Sequence, residues 1–432
     1  MCWFSGIYSK KNNLENKKLI KESIKKISHR WEKENFLEKE NYFFWYLRLP
    51  TDDINYDKKD YLNNILYNWI IYNTEFLKEK FNLDSKNFDS LILEEWYKKC
   101  SKKFLEKIRW MFAFAFDRGK TIELVRDTIW IKPLYYTFWE NFFAFSSEIK
   151  WLIDICKKNN SKIIEVLPWE IIIFDKENFI IKKEKFFYKK YTNFENNFDY
   201  IEESLKTCLI NPTKKYLNSW KKIAILLSWW LDSSVLVYSL FKNKQINHKN
   251  IEVFSMWLEN SKDNYYTKII EKDLKIKVNY IEPLSEEESI NILEKIVYIS
   301  ESFLSRVLKV SLFQYSLAKK IREKWIDIVI SGEGSDEIFF WYDRFYKNKN
   351  DKEIINFFEI FFKKVFFYTL LQRLDRTFSY FTIESRVPFL DQELVENISK
   401  LDINYKLKNK IINKSWYFGW FAKIINWFFY WI

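Results

Sequence analysis

The sequence predicts two domains, an α+β domain rich in antiparallel strands followed by an α/β domain built on a parallel sheet. The 432 residues are enough for two or three domains of about 150 residues each. The first half carries short aromatic and β-branched runs, whereas the second half alternates continuous apolar runs with helical patterns. Since the pattern changes after the polar stretch 191–197, we expect domains at 1–194 and 195–432.

Each element of the first domain is predicted from its local pattern. Alternating aromatic and β-branched residues indicate strands with one buried face, because successive side chains of a strand point to opposite sides. Such runs occur at 42–49, 111–116, 123–125, 142–145 and 171–175. Helical stretches are predicted at 17–28, 61–67 and 91–108. Strands of this length with few helices between them predict largely antiparallel pairing in α+β layers.

In the second domain, apolar strands are each associated with a helix. The predicted strands are 223–227, 251–255 and 326–330, and the predicted helices are 233–241, 265–274 and 312–324. Strands that are apolar along their whole length are covered on both faces, which is typical of parallel sheets. The second domain is therefore predicted to be an α/β layer structure.

Composition excludes several classes of protein. No apolar run approaches the roughly 18 residues that span a bilayer, and the chain does not start with a basic segment and an apolar core, so we expect a cytoplasmic protein without a membrane segment. Four cysteines without C-x-x-C spacing and two histidines predict neither a disulfide framework nor a zinc site. The net charge is +12, but the lysines are scattered among acidic residues, so we expect no nucleic-acid partner.

Glycine is scarce and tryptophan abundant. The chain has 5 glycines and 20 tryptophans, although about 7% glycine, or about 30 residues at this length, is ordinary. Turns, helix ends and phosphate-binding loops need residues that accept a positive φ, and Trp is a poor substitute. Residues encoded by A/T-rich triplets are abundant. We therefore hypothesise that many of these tryptophans are UGA codons that the source organism reads as glycine; the alternative is a truly tryptophan-rich protein.

The segment 224–234, A-I-L-L-S-W-W-L-D-S-S, is the strongest local signal of a binding site. A buried strand enters a tight turn and then a helix, whose N-terminal N–H groups suit a phosphate. With glycine at Trp229 and Trp230, the turn resembles the pyrophosphate-binding loop of the ATP pyrophosphatase superfamily. That resemblance implies cleavage of ATP to AMP and pyrophosphate, with ATP contacts from Ser228, Trp229, Trp230, Asp232, Ser233 and Ser234. The alternative is a helix start that is merely capped by serines.

A second loop, 331–337, reads S-G-E-G-S-D-E and follows the apolar strand that ends at Ile330. Open α/β sheets bind ligands at the carboxyl ends of their strands. Like charges this close are costly unless they share a cation or a proton. Magnesium between nucleotide phosphates and carboxylates meets that need, which favours Asp232 and Asp336 as metal ligands. The alternative is a solvated acidic turn.

Together the two loops resemble those of glutamine-hydrolysing asparagine synthetase, and the resemblance covers nearly the whole chain. In that family the first glutamate of the second loop takes part in forming β-aspartyl-AMP and in proton transfer, which implies a catalytic role for Glu333. The family's nucleotide contacts fall on Leu227, Met256, Ser331 and Gly332. The runs 374–376 and 384–391 also match, and for them a buried, salt-bridged cap and turn is at least as good an interpretation as substrate contact.

The first residues after Met1, C-W-F-S-G-I, resemble the start of class II glutamine amidotransferases. The resemblance implies the αββα sandwich of N-terminal-nucleophile hydrolases, with the Cys2 thiol as nucleophile and its α-amino group as base. An ordinary cysteine is more often a small buried apolar residue.

The glutamine site implied by this resemblance comprises four more residues. Arg48 would bind the carboxylate of glutamine, Asn68 and Trp69 would form the oxyanion hole, and Asp89 would receive the ammonium. Two acids of the family are replaced by Ile70 and Leu91, which predicts weaker glutamine binding, by about 1 to 3 kcal/mol for a lost charge-assisted hydrogen bond.

Tryptophan also stands where the family has glycine. The positions are 3, 31, 69, 110, 130, 151, 229, 230 and 341, and this coincidence supports the recoding hypothesis. The family's catalytic lysine has two candidates, Lys414 and, less well placed, Lys410.

These resemblances imply an ATP- and Mg²⁺-dependent ligase that makes asparagine from aspartate. Glutamine or ammonia would supply the nitrogen, with ammonia carried through an internal passage. We expect small-molecule partners, no nucleic acid and no membrane, and the sequence leaves a homodimer open. Two alternatives remain: a related ligase that forms another amide or a β-lactam, and a non-catalytic relative if the tryptophans are genuine.

Overall fold

The computed structural model describes most of the chain. The described residues are 2–10, 34–39, 42–48, 64–71, 79, 97–98, 102–105, 110–186, 216–217, 219, 221–243, 246–339, 353 and 368–400. Internal contacts divide the chain into two units, Met1–Lys189 and Lys190–Ile432. The predicted domain boundary near residue 195 stays a prediction.

The first unit contains two antiparallel sheets. The first has the strand order β2-β3-β1-β8-β7-β9 and the second β11-β10-β6-β5-β4. The strands are β1 Cys2–Ser9, β2 Glu34–Lys39, β3 Tyr42–Arg48, β4 Ile65–Ile71, β5 Trp110–Asp117, β6 Thr121–Arg126, β7 Tyr135–Trp139, β8 Phe142–Ser146, β9 Ile164–Glu165, β10 Glu170–Asp175 and β11 Ile180–Lys185. The helices α1 Lys102–Leu105 and α2 Ile149–Asn159 lie in the described part of the same unit.

Aromatic side chains hold the two sheets together. The rings of Phe143 on β8 and Phe174 on β10 are stacked with centroids 4.3 Å apart. Tyr46 on β3 and Tyr67 on β4 lie 5.4 Å apart. Large aromatic rings bury much apolar area at each position, so the alternating pattern of the sequence becomes a continuous core between the sheets. The prediction of an α+β unit with antiparallel sheets is confirmed.

One helix prediction for this unit is wrong. Residues 65–71, which overlap the predicted helix 61–67, form β4 and pair with β5 in the register Ile65 to Phe116. The run I-L-Y-N-W-I-I suits a strand because β-branched and aromatic side chains pack well on a pleated surface. The described part of the predicted helix 91–108 includes helical residues at 97–98 and 102–105, and the predicted helix 17–28 lies outside the described residues.

The second unit is built on a parallel sheet with the strand order β14-β13-β12-β15-β16. These strands are β12 Ile223–Leu226, β13 Ile251–Met256, β14 Val278–Ile281, β15 Ile328–Ile330 and β16 Glu384–Arg386. The helices are α3 Leu231–Phe241, α4 Lys262–Leu274, α5 Glu286–Asn291, α6 Leu293–Ser300, α7 Ser305–Glu323, α8 Ser335–Ile338, α9 Gln372–Tyr380 and α10 Gln392–Ser399.

The central strands of this sheet are fully buried, which is why their sequences are apolar throughout. All three residues of β15 are inaccessible to solvent, and so are Ala224 and Ile225 of β12. The prediction of a parallel sheet is confirmed. The observed helix α7 is longer than the predicted helix 312–324, because it begins at Ser305. Within the described part of the chain, every helix is too short or too polar to cross a membrane.

Candidate functional site

Two loops of the second unit meet at the centre of its parallel sheet. Strand β12 pairs with β13 on one side and with β15 on the other. This is the point where strand order reverses, and open α/β sheets bind ligands there, beyond the carboxyl ends of the strands. The loop after β15 lies against the first turn of α3, which follows the loop after β12, because a Cβ atom on Gly332 would lie 3.1 Å from the backbone nitrogen of Ser233.

The loops enclose a cavity of about 490 Å³. Most of the residues predicted to bind ATP or metal line this cavity: Leu227, Ser228, Trp230, Asp232, Ser233, Met256, Ser331, Gly332 and Asp336. Glu333 lines it as well. Ser234 instead donates from its hydroxyl to the carbonyl of Trp230 at 3.0 Å. The structure thus brings together residues from segments about one hundred positions apart.

Serine hydroxyls fix the first loop. The Ser228 amide donates to Oγ of Ser233 at 2.9 Å, and Ser233 Oγ donates to the carbonyl of Trp230 at 3.0 Å. The Leu227 amide donates to the carbonyl of Phe254 on β13 at 2.8 Å. These bonds hold the loop against the N-terminus of α3, where backbone donors and the helix dipole favour an anion.

Asp263 is a residue of this site that the sequence analysis missed. It lies in the first turn of α4, and its Oδ1 accepts a hydrogen bond from the Trp229 amide at 2.8 Å. Burial raises the pKa of its carboxyl, and the bond from Trp229 opposes that rise. Acidic residues are common in the first turn of a helix, where the helix dipole stabilises them. The type and position of Asp263 therefore gave no signal of this contact.

Three acidic residues meet at the cavity. Burial raises the pKa of Asp232 well above its ordinary value, and the charges of Asp336 and Glu333 add to the rise while a hydrogen bond from Ser335 opposes it. Oδ1 of Asp232 is buried and has no hydrogen-bond partner among the described residues. A buried carboxylate oxygen without a donor is costly, and it can be stabilised by a cation.

This donor set fits magnesium bound together with a nucleotide. Among the described residues, no group of three or more His, Cys, Asp and Glu side chains is arranged to hold a metal by itself. Mg²⁺ is commonly bound by one or two carboxylates with substrate phosphates and water completing the shell. Asp232 with its unpartnered oxygen, and Asp336 beside it, provide such a pair.

Arg373, at the start of α9, is a second residue that the sequence analysis missed. Its Nη2 donates to Oε1 of Glu333 at 2.6 Å, and both residues line the cavity. A signal existed, because Arg373 directly precedes the run 374–376 that matched the family motif. The motif gave no indication of which charged residue faces the cavity.

Residues 384–391 are all described, and none of them lines the cavity. Arg386 on β16 bonds Glu384 at 2.7 Å, and its carbonyl accepts the amide of Ser331 at 3.0 Å. Asp391 caps α10 by accepting the Glu393 amide at 3.0 Å. Through the bond to Ser331, this segment supports the start of the second loop.

In the first unit, strand register places two candidate glutamine-site residues side by side. Cys2, the first residue of β1, is the Cα partner of Arg48 at the end of β3. Asn68 is fully buried on β4, opposite Ala113 of β5. Asp89 lies outside the described residues, as do the side chains of Cys2, Arg48 and Trp69. Lys410 and Lys414 are likewise outside them.

The residues that connect β6 to β7 form a largely buried turn. The carboxylate of Asp127 accepts the amides of Ile129, Ile131 and Lys132 at 2.9, 3.0 and 2.9 Å. Burial raises its pKa in spite of these bonds. At the centre of the turn, Trp130 has φ 63°. The carboxylate thus organises a tight loop whose middle residue is left-handed.

Nine non-glycine residues of the described part of the chain have a left-handed backbone, and three of them are tryptophans: Trp130 with φ 63°, Trp169 with φ 49° and Trp325 with φ 60°. Side chains with a Cβ rarely adopt this region, and bulky ones hardly at all. Trp325 follows α7, where its amide donates to the Arg322 carbonyl at 2.9 Å and the Ile326 amide donates to the Ile321 carbonyl at 3.4 Å. This pair of bonds is the Schellman ending of a helix, whose left-handed residue is usually glycine.

Comparison with known proteins gives two family matches. Residues 1–196 match the glutamine amidotransferase domain family, and residues 205–356 and 349–417 match the asparagine synthase family. The chain is 30% identical over 369 residues to putative asparagine synthetase (glutamine-hydrolyzing) 1 of Methanocaldococcus jannaschii, which covers 80% of this chain and 65% of that protein. Identity is 24% over 435 residues to asparagine synthetase B of Escherichia coli strain K12, over 94% of this chain and 76% of that protein.

The similarity extends to vertebrate proteins. Asparagine synthetase (glutamine-hydrolyzing) of Gallus gallus is 26% identical over 377 residues, 81% of this chain and 67% of that protein. The chain therefore spans about two thirds of the length of the archaeal and avian relatives.

Proposed function

We propose that this chain, which belongs to the asparagine synthetase family, forms L-asparagine from L-aspartate and ATP with glutamine or ammonia as nitrogen donor. The observation that carries the proposal is the cavity at the β12 and β15 switch point, where a helix N-terminus and the acidic residues of a second loop face the same volume. A helix N-terminus suits a phosphate, and paired carboxylates suit the magnesium that accompanies it.

In the first step the loop 227–230 and the first turn of α3 would bind the phosphates of ATP. Asp232 and Asp336 would hold Mg²⁺, which supplies charge neutralisation that makes pyrophosphate a better leaving group. The β-carboxylate of aspartate then attacks the α-phosphorus, the bond to the bridging oxygen breaks, and β-aspartyl-AMP and pyrophosphate result. The loops keep the acceptor carboxylate beside the phosphate, which favours this step by proximity.

In the second step ammonia attacks the activated carbonyl and AMP leaves. Ammonia must lose a proton as the new C–N bond forms, and a carboxylate within the cavity can accept it. Glu333 lines the cavity and has its Oε1 bonded to Arg373, so its second oxygen is the one we assign to this proton. The products are asparagine, AMP and pyrophosphate.

The first unit would supply ammonia from glutamine. The Cys2 thiol attacks the side-chain amide with its own α-amino group as base, and the acyl-enzyme is then hydrolysed. The pairing of Cys2 with Arg48 would place the nucleophile next to the group that binds the substrate carboxylate. A cytoplasmic location stays a prediction.

The proposal requires small residues at positions 229 and 230. Trp230 lines the cavity with 52% of its surface exposed, and the two indole rings lie 4.4 Å apart. Indoles in this turn would occupy space that a diphosphate needs. The left-handed φ values of Trp130, Trp169 and Trp325 are those that glycine adopts without strain. They support translation of the corresponding codons as glycine.

Buried indoles support the same interpretation. The Nε1 atoms of Trp130 and Trp151 are buried without a hydrogen-bond partner among the described residues. A buried donor left unpaired costs about 1 to 3 kcal/mol, and glycine would carry no such donor.

Mass spectrometry of the protein purified from its source organism tests residue identity. We expect peptides with glycine at positions 130, 169, 229, 230 and 325. Peptides with tryptophan at positions 229 and 230 would contradict the ligase proposal for this chain and favour a non-catalytic relative.

Product analysis tests the function itself. The full chain with glycine at the recoded positions is incubated with ATP, Mg²⁺, aspartate and ammonia, and we expect asparagine, AMP and pyrophosphate in equal amounts. Omitting aspartate should abolish pyrophosphate release, and Glu333→Gln should lower asparagine formation by roughly 10²-fold or more. Pyrophosphate release with a different amine or carboxylate acceptor, and none with aspartate, would identify a related ligase instead.

A further inference from the structure

We propose that Arg373 is a positioning residue that holds Glu333 at the reacting centre and affects amide formation only through it. The inference rests on the proposed function, because it assigns a purpose to a contact at the same cavity. Three features carry it: the geometry of the ion pair, the charge of the cavity lining and the backbone that anchors the arginine.

The geometry gives Arg373 a fixed direction. Its Nη2 donates to Oε1 of Glu333 at 2.6 Å, while the side chains of Arg373 and Glu333 are only 9% and 18% exposed. Its Nη1 donates to the carbonyl of Thr369. One side of the guanidinium fork is thus tied to backbone and the other to the carboxylate, and a rigid fork of this kind sets the carboxylate's orientation as well as its distance.

The charges around the cavity explain why Glu333 needs such a partner. The lining includes five acidic residues: Asp232, Asp263, Glu333, Asp336 and Glu337. Arg373 is the one basic residue among the described residues that line it. Glu333 lies close enough to Asp232 for its charge to help raise the pKa of that carboxyl. Without the guanidinium, repulsion between these acids would turn the Glu333 side chain away from the centre.

The backbone before α9 is adapted to this contact. Residues 368–371 form a π-helical turn immediately before the helix starts at Gln372. Single π-helical turns are frequent at functional sites. In the same turn the carbonyl of Thr369 accepts from the arginine side chain, so this segment anchors Arg373 where it reaches Glu333.

Retaining Arg373 has a cost in stability. Its Nε is buried without a hydrogen-bond partner among the described residues, and an unpaired buried donor is destabilising. A side chain held in place at such a cost suits a functional role better than a structural one. A readout of stability therefore separates the two roles.

The test is a double-mutant cycle in the full chain with saturating ATP, Mg²⁺, aspartate and ammonia. Arg373→Gln should lower kcat for asparagine formation by roughly 10²-fold and leave the KM for ATP within about threefold. Glu333→Gln with Arg373→Gln should be no slower than Glu333→Gln alone, because the arginine acts through the glutamate. Arg373→Lys, which can restore one charged contact, should recover part of the rate.

Arg322→Gln is the matched control. It removes a contact of 2.6 Å between Arg322 and Asp327, and neither residue lines the cavity. Its kcat should stay within about twofold of the unsubstituted chain.

Losses that multiply in the double variant, or a large rise in the KM for ATP, would show that Arg373 binds substrate directly and overturn the proposal. A lower Tm with unchanged kcat for Arg373→Gln would assign it a structural role and overturn it too. Failure of the unsubstituted chain to form asparagine would refute the proposed function itself, and with it this inference, before any variant is compared.

Discussion

Two buried acidic residues of the first unit differ from the acids that line the cavity of the second unit. Asp117 is paired with Lys176 at 2.6 Å, and Glu123 is paired with Arg118 at 2.7 Å. In the second unit Asp232 has acidic neighbours, Asp336 and Glu333, and an oxygen without a donor. Paired charges stabilise a fold, whereas unpaired like charges store an unfavourable interaction that a bound cation can relieve. The contrast therefore separates structural acids from those of a ligand site.

The two candidate sites also differ in how the chain assembles them. In the second unit, loops at the carboxyl ends of adjacent parallel strands supply the site, so two continuous segments bring most of its residues. In the first unit, register between antiparallel strands places Cys2 beside Arg48. If the units carry separate reactions, substitutions in one should spare the reaction of the other.

The largest expected effect tests that separation. Cys2→Ala should abolish asparagine synthesis with glutamine, by about 10³-fold or more, since no other nucleophile is assigned to amide cleavage. Synthesis with ammonia should stay within about twofold. Both rates are measured by product analysis, and Cys156→Ala, at the buried free cysteine of α2, is the control that should retain both. Equal loss of the two activities in Cys2→Ala would contradict the division of labour.

A smaller effect is expected where the two loops of the second unit touch. Gly332→Ala would place a Cβ 3.1 Å from the Ser233 nitrogen and 3.2 Å from the Cβ of Asp232, so the loops must separate slightly. We expect pyrophosphate release to fall by about 10-fold, since small misplacement in a site has effects of this order. Gly119→Ala is the control: its Cβ position is open, but its φ of 85° makes alanine strained there. It therefore tests a backbone change in the first unit, outside the cavity lining, and should leave this rate unchanged. An unaffected rate in Gly332→Ala would indicate that loop contact is not needed for catalysis.

The pH dependence of the free energy of unfolding tests the difference between Asp232 and Asp117. The pKa of Asp232 is raised above its unfolded value of 3.8, so ionisation costs the folded state stability above that pH. Asp232→Asn without Mg²⁺ should therefore raise Tm at pH 8, by a gain on the order of 1 kcal/mol. The gain should shrink as pH falls and vanish below 3.8, where the carboxyl is protonated in both states.

Asp117→Asn is the matched control for this prediction. It breaks the pair with Lys176, whose Nζ is 2.6 Å from the carboxylate, and leaves a buried ammonium without its anion. We expect a lower Tm at pH 8, because breaking a buried pair is destabilising by about 3 to 5 kcal/mol. Calorimetry of both variants gives the comparison, and a loss of stability in Asp232→Asn would contradict the assignment of Asp232 as a ligand-site acid.

The smallest effect concerns the tryptophans. In a chain that carries tryptophan at position 325, Trp325→Gly should raise the free energy of unfolding by about 1 kcal/mol, because a left-handed residue with a side chain costs about 1 to 2 kcal/mol. Trp139→Gly, on β7, should lower it by a similar amount, since glycine weakens a strand. Denaturant unfolding measures both, and opposite signs are expected. Equal losses would remove the structural support for glycine at position 325.

Local sequence was sufficient to predict the two loops and the strands that precede them. Each loop follows its buried strand directly in the sequence: the loop 228–234 follows one strand, and the loop 331–337 follows another. Asp263 and Arg373 were missed because their roles depend on contacts with distant residues, Trp229 and Glu333. The error at 61–67 has a similar cause: β4 is a strand because β5, far along the chain, pairs with it.

The order of strands in the second unit also has a consequence during protein synthesis. Strand β15 lies between β12 and β16, and Ile223 pairs with Ile328. The ribosome therefore completes β12 long before β15 exists, and a nascent chain that ends before Ile328 lacks one wall of the cavity. Under the proposed function, truncated chains of this kind would retain the whole first unit yet have no place to activate an acceptor, so any glutamine that they hydrolysed would release ammonia without forming product.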